Sequence, residues 1–225
     1  MPDLVPPGRA HQDFWWSLGR ALIGPFMWLL FRFRVVGLAN LPAEGGGVVA
    51  SNHVSVFDPV VLGLLAARRG RTVRFIGAVE NFRIPVIGWG LRKIRQIPIV
   101  RGGQDLAALE DAARIVRSGA LAGIYPEGSV GPGPLMRGRS GAARLALASG
   151  GALVPVGIWG TNARWSKRGL SLRPPWRPTV AVCIGAPIAA EGDPESTEDV
   201  QRMTDRLMAE IGRQVMAARA IARHP

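Results

Sequence analysis

A histidine and an aspartate five residues apart, His53 and Asp58, stand in the segment Ser51-Asn52-His53-Val54-Ser55-Val56-Phe57-Asp58. A carboxylate that reaches back to one imidazole nitrogen leaves the other free to take a proton. That is the arrangement of a general base with its orienting group. The spacing alone is a weak signal, but composition sharpens it. Of the three histidines, His11 and His224 lie in the terminal tails, so histidine chemistry in the folded body falls to His53. A histidine that merely caps or packs is the bland alternative. No Gly-x-Ser-x-Gly turn surrounds Ser55, so it reads as a residue that structures the loop rather than as a nucleophile.

A second cluster follows some seventy residues later. Tyr125-Pro126-Glu127-Gly128-Ser129 ends a short apolar run and leads through a Gly/Pro-rich loop to Met136-Arg137-Gly138-Arg139-Ser140-Gly141. Backbone amides at the start of the helix predicted over 141–148, with the guanidiniums of Arg137 and Arg139, suit an anion such as a phosphate ester. The competing reading is a solvated turn whose arginines face water.

These loops need a frame, and the pattern supplies one. Short β-type runs at 33–37, 47–51, 73–77, 96–100, 121–125, 153–157 and 179–184 alternate with helical stretches, which predicts a single α/β domain. Its central sheet should be mostly parallel or mixed and flanked by helices. The loop carrying His53 then runs from a strand into a helix over 59–68, with Asp58 as its N-cap and Pro59 at the first helical position. A helix over 104–117 places Leu106, Leu109, Ala113 and Val116 on one stripe. The last helix, after Asp193 and Pro194, repeats Val200, Met203, Leu207, Ile211 and Val215, a stripe that should dock on the sheet. Residues 160–178, basic and rich in Trp and Pro, read as a long surface loop or lipid-facing lid.

Residues 1–34 differ in character from the domain expected over 35–225. The uninterrupted apolar run, 21–31, is too short to span a hydrocarbon layer of roughly 30 Å. With Trp15, Trp16, Trp28 and flanking Arg20, Arg32 and Arg34, the segment predicts two short interfacial helices broken near Gly24 and Pro25. The alternative is that these aromatics simply pack on the domain. A net charge of +12 calls for negative partners. Nucleic acid and anionic membrane both fit the charge. With no zinc-knuckle spacing, basic heptad helix or aromatic RNA-binding signature, the membrane surface is the expected partner and nucleic acid is not. The single cysteine, Cys183, falls in a predicted strand and reads as inert packing in a cytosolic chain.

In order and spacing these segments resemble the lysophosphatidate acyltransferase (PlsC-like) family. Asn52, His53, Ser55 and Asp58 match its Asn-His-x-Ser-x-x-Asp motif, and Ile97-Pro98-Ile99-Val100-Arg101 looks like its second motif. Pro126-Glu127-Gly128-Ser129 matches the third, Pro-Glu-Gly-Thr/Ser, and Val154-Pro155-Val156-Gly157 the fourth. The resemblance covers about residues 35–185. It implies an acyl-CoA or acyl-ACP donor, a lysophospholipid acceptor at a membrane, and no metal or organic cofactor. It also implies a location at the cytoplasmic face of the cell membrane, peripheral or monotopic. His53 and Asp58 become the catalytic pair. Asn52, Ser55, Arg101, Glu127, Gly128 and Ser129 are assigned to acceptor binding and loop order, with Arg137 and Arg139 as further phosphate contacts. A buried Glu127 is expected to be held by a neighbouring arginine or hydroxyl. Many members carry Arg directly after the third motif, where this chain has Val130, so the phosphate ligand is either absent or supplied by Arg137 or Arg139, and an acyltransferase acting on another lyso-lipid stands as an alternative to lysophosphatidate. A hydrolase using the same pair on water and a non-catalytic membrane-binding protein are the rival readings.

Overall fold

The computed structural model describes residues 14–100, 106–131, 133, 135–171 and 173–223. Its centre is a seven-stranded sheet. The strands are β1 (Arg32–Val36), β2 (Gly47–Ser51), β3 (Val73–Ala78), β4 (Ile97–Ile99), β5 (Leu121–Ile124), β6 (Ala152–Trp159) and, after the short hairpin β7 (Trp165–Ser166) and β8 (Gly169–Leu170), β9 (Thr179–Ile184). The sheet order is β1-β9-β6-β2-β5-β3-β4, all neighbours parallel except the antiparallel pair β6 and β9. All seven strands expected in the sheet are present. The five contiguous parallel strands β6, β2, β5, β3 and β4 therefore end on one edge, where ligand sites of open α/β sheets form. Every residue of β2 is buried, as a strand covered on both faces must be.

Among the described residues the helices are α1 (Phe14–Leu30), α2 (Asp58–Arg68), α3 (Val79–Arg83), α4 (Pro85–Lys93), α5 (Leu106–Arg117), α6 (Gly141–Ser149) and α7 (Thr197–Arg223). Helices α5, α6 and α7 pack on one face, with Ala112, Leu145, Leu207 and Ile211 in the core. On the other face α1 and α2 bring Met27, Phe31, Leu62 and Leu65 against Val49, Val154 and Val182. All five stripe residues of α7 are buried. At about 2 kcal/mol each, their burial contributes on the order of 10 kcal/mol before chain entropy is subtracted.

Two expectations change. The N-terminal segment is one helix running through Pro25, not two. Proline removes one hydrogen bond, but Trp16 packs over Gly63 and Met27 is buried, so contacts with α2 on both sides of Pro25 hold the helix together. The elbow α3–α4 went unseen, because Pro85, Gly88 and Gly90 interrupt any apolar period there. The helix expected over 104–117 is described from Leu106, and residues 101–105 lie outside the described part.

At Gly157 of β6 the backbone of α7 packs directly against the sheet. A β-carbon there would stand 2.2 Å from the backbone of Gln214 and Val215. Gly157→Ala should therefore push α7 outward and lower stability by about 2 to 3 kcal/mol, measured by urea unfolding.

Candidate active site

His53 lies just beyond β2, and three neighbours fix its ring and its main chain. Nδ1 is 3.0 Å from Oδ2 of Asp58, whose side chain is fully buried. The same Oδ2 accepts hydrogen bonds from the amides of Val54 (2.7 Å) and Ser55 (2.8 Å), while Oδ1 accepts one from the Thr161 hydroxyl at 2.6 Å. The other partners of this carboxylate are all donors, so Nδ1 takes the donor role toward Oδ2 and Nε2 is the ring nitrogen turned away from Asp58. Asp58 is thus the first residue of α2 rather than the expected cap, and its carboxylate turns back onto the loop. The turn has a cause: Ser55 Oγ accepts from the amide of Phe57, tightening the loop so that Val54 and Ser55 present their N–H groups to Asp58.

The second restraint is Glu127. Its Oε1 accepts from the His53 amide at 2.8 Å and its Oε2 from the Met136 amide at 3.1 Å. Backbone amides, not the arginine or hydroxyl expected, hold this buried group. Burial pushes its carboxyl above the ordinary value, and the two amides pull in the other direction without cancelling the effect.

The third restraint was missed. Tyr125 stacks on the imidazole at a centroid distance of 4.0 Å and an interplanar angle of 15°, and Phe75 stacks with Tyr125 at 5.8 Å. The Tyr125 hydroxyl is buried and has no hydrogen-bond partner among the described residues. Burial pushes it well above the ordinary phenol range, and the charge of Asp58 adds to this, so it stays a neutral donor. An aromatic residue ending β5 is the available sequence signal, since Ile124 pairs with Ala50 and places Tyr125 beside the start of the His53 loop.

His53 opens onto a cavity of about 470 Å³. Phe75, Phe82, Leu91, Ile99, Val100 and Leu109 make most of it apolar, and Ser129, Arg139, Ser140 and Arg144 form a polar part. This size suits a small-molecule site. Gly128 has a φ of 74°, and a β-carbon on it would stand 3.2 Å from Nε of Arg139, so the guanidinium rests on this turn. Arg144, on the first turn of α6, was not singled out from sequence.

The cavity walls correct several assignments. Asn52 is buried behind the loop, where its amide bonds Ile158 N–H and C=O of β6 at 2.8 and 3.0 Å, as a neighbouring strand would. Ser55 and Glu127 are likewise buried in support of the loop and do not line the cavity. Arg137 is exposed and outside the cavity wall. Gly128, Ser129 and Arg139 do line it. Arg101, His11 and His224 lie outside the described residues. Among the described residues no three His, Cys, Asp or Glu side chains gather as a metal site.

The acyltransferase family model matches residues 32–159, a span that holds the His53 loop, the Glu127 turn and the whole of β6. The Mycobacterium leprae protein ML2427 is 32% identical over 159 residues, 63% of this chain and 41% of that protein. The chloroplastic 1-acyl-sn-glycerol-3-phosphate acyltransferase LPAT1 of Arabidopsis thaliana is 30% identical over 136 residues, 59% of this chain and 37% of LPAT1. The chain thus matches about two fifths of the length of such relatives. The crystal structure of the 1-acyl-sn-glycerophosphate acyltransferase PlsC from Thermotoga maritima shares the fold, with a TM-score of 0.68 at 23% identity over 94% of this chain and 80% of that one.

Two expected outcomes follow from these contacts. Thr161→Val removes a hydroxyl donor from a buried carboxylate and should cost about 2 kcal/mol in urea unfolding at neutral pH. For Glu127 the raised carboxyl binds its proton more tightly in the folded than in the unfolded chain. Its contribution to stability is therefore present below the ordinary carboxylate range and lost as pH rises through the raised value. Glu127→Gln should flatten this part of the stability curve in thermal melts between about pH 4 and pH 7.

Proposed function

The chain belongs to the PlsC-like acyltransferase family, and on that premise we propose that it moves a fatty acyl group from acyl-CoA or acyl-ACP onto the free hydroxyl of a phosphate-bearing lysolipid, with 1-acyl-sn-glycerol 3-phosphate as the acceptor. One observation carries the reading: His53, with Nδ1 held by Asp58 and Nε2 free, lines an apolar cavity whose polar part carries two arginines. The apolar walls suit an acyl chain, and Arg139 and Arg144, beside the start of α6, suit a phosphate. The names of LPAT1 and of a Borreliella burgdorferi relative, 25% identical over 160 residues, favour this acceptor.

In the proposed reaction Nε2 of His53 removes the proton of the acceptor hydroxyl as its oxygen attacks the thioester carbonyl carbon. The imidazolium that forms lies against Asp58, which is already an acceptor and needs no rearrangement. Collapse of the tetrahedral intermediate breaks the C–S bond, and the proton passes from His53 to the departing thiolate. A thiol with a pKa of about 8.5 leaves far more readily than an alkoxide, so a single displacement suffices and no acyl-enzyme is required. Asn52, Ser55, Glu127 and Tyr125 act through His53, by fixing its loop, its amide and its ring plane. The reading asks for no metal or organic cofactor.

We place the protein at the cytoplasmic face of the membrane as a peripheral or monotopic protein. Among the described residues no helix is long and apolar enough to cross a bilayer. The outer stripe of α1, Phe14, Leu18, Leu22, Phe26 and Leu29, is exposed and apolar, as an interfacial helix requires.

Thiol release from long-chain acyl-CoA, measured with and without lysophosphatidic acid, tests the reading. Release should depend on the acceptor, form phosphatidic acid, and fall by about 100- to 10,000-fold in His53→Ala. Release indifferent to acceptor would indicate hydrolysis and overturn the assignment. Arg139→Ala and Arg144→Ala should each raise KM for lysophosphatidic acid about tenfold while sparing turnover of a phosphate-free lysolipid.

A further inference from the structure

The elbow α3–α4 has two faces of unlike use. Its inner face supplies Asn81, Phe82 and Leu91 to the cavity wall. Its outer face leaves Val86 81% exposed, and Ile87 and Trp89 about half exposed. Such a face on a nine-residue helix calls for a partner, and its surroundings say which. Trp89 meets Trp15 of α1 edge-on at 5.1 Å, and Lys93 Nζ lies 5.0 Å from the centroid of Trp15 and 5.9 Å from that of Trp89. The apolar edge of α4 is thus joined to α1 at its first turn. At the far end of α1, Arg177 donates to the carbonyls of Trp28 and Phe31 and lies over the Trp28 ring, next to Trp176, which is 74% exposed. A helix of 17 residues is about 25 Å long. Tryptophan and a cation therefore bracket the apolar stripe at both ends.

The charge around these elements is predominantly positive. The elbow and the strand after it, residues 79–100, contain Arg83, Arg92, Lys93 and Arg95 against one acidic residue, Glu80, and residues 160–178 contain five basic residues and none acidic. Residues 14–43 also carry no acidic side chain. Of the acidic groups, Glu110 and Asp111 lie on α5, and Glu198, Asp199, Asp205 and Glu210 on α7, across the sheet from α1. Tryptophan with basic residues around exposed aliphatic side chains matches the headgroup region of an anionic leaflet.

We propose that the outer edge of α4, Val86, Ile87 and Trp89, is a second membrane-contacting element that enters an anionic phospholipid leaflet beside α1. It sets the wall of the cavity against the lipid, so that an acyl chain passes between leaflet and cavity past Phe82 and Leu91. This last consequence rests on the acyl-transfer reading, whereas the docking does not.

Val86 faces solvent, so Val86→Glu can test docking without disturbing the core. The full chain is sedimented with vesicles of phosphatidylcholine alone and of phosphatidylcholine with one third phosphatidylglycerol. Wild type should prefer the anionic vesicles, and Val86→Glu should weaken that binding about tenfold. Its turnover of a short-chain, water-soluble acyl thioester and acceptor should equal that of wild type. Undiminished vesicle binding by Val86→Glu would overturn the proposal, as would equal wild-type binding to both vesicles. A concentration-dependent dimer abolished by Val86→Glu would also overturn it, by assigning this edge to a second copy of the chain. Anionic-vesicle binding that is weakened in Val86→Glu supports it even if wild type turns over no acyl thioester, in which case only the function proposed above fails.

Discussion

A carboxylate with no access to water must be surrounded by donors or give up its charge, and the site is organised around that requirement at Asp58. Its four partners come from two places: the His53 ring and the amides of Val54 and Ser55 from the loop after β2, and the hydroxyl of Thr161 from the turn after β6. Asp58 itself opens α2. One buried charge thereby welds strand, loop, helix and a remote turn into a single rigid unit, and the imidazole orientation follows from that welding. Glu127 completes it from the other side by holding the main chain of His53. The two carboxylates differ in supply: Asp58 has four donors, whereas Glu127 has two amides, and burial raises its affinity for a proton.

The sheet makes this convergence possible. Because β6, β2, β5, β3 and β4 run parallel, their ends deliver Thr161, His53, Tyr125, Ala78 and Val100 to one edge. Reversing one of these strands would carry its contribution to the opposite edge. Strand β9, antiparallel to β6, and β1 lie beyond this group, where the sheet serves as a floor for α1 and α7.

The elements were legible where the residue period is clean. Strands such as 47–51 and 179–184 were found to the residue, because continuous apolar runs or strict alternation between turns leave little choice. The stripe of α7 was equally plain. The elbow α3–α4 was not, since its fold depends on contact rather than period: a β-carbon at Gly88 would stand 2.0 Å from the Phe82 carbonyl oxygen, so only glycine lets the two helices close. In the site, His53 and Asp58 were legible from spacing and composition together, since they lie only five residues apart. Thr161 is 103 residues from Asp58, and Tyr125 and Arg144 meet the cavity only through strand order and helix packing. Asn52 and Glu127 were located, but their direction was not. A polar residue in a motif can face the ligand or the backbone, and here both face the backbone.

The loop after Glu127 shows how the fold keeps the arginines at the cavity apart from the His53–Asp58 pair. Val130 carries no charge just after the Glu127 turn, yet a cation is present at that turn. The chain runs on through a Gly/Pro-rich excursion and returns, with the Arg139 amide donating to the Pro126 carbonyl at 2.8 Å and its guanidinium resting on Gly128. The positive left-handed turn at Gly128 is what makes room for it. None of these contacts involves Asp58 or the Nδ1 of His53. The position of the cation can therefore shift along this loop while His53 and Asp58 stay fixed, so the polar end of the cavity is free to vary on a frame that the buried carboxylates do not allow to move.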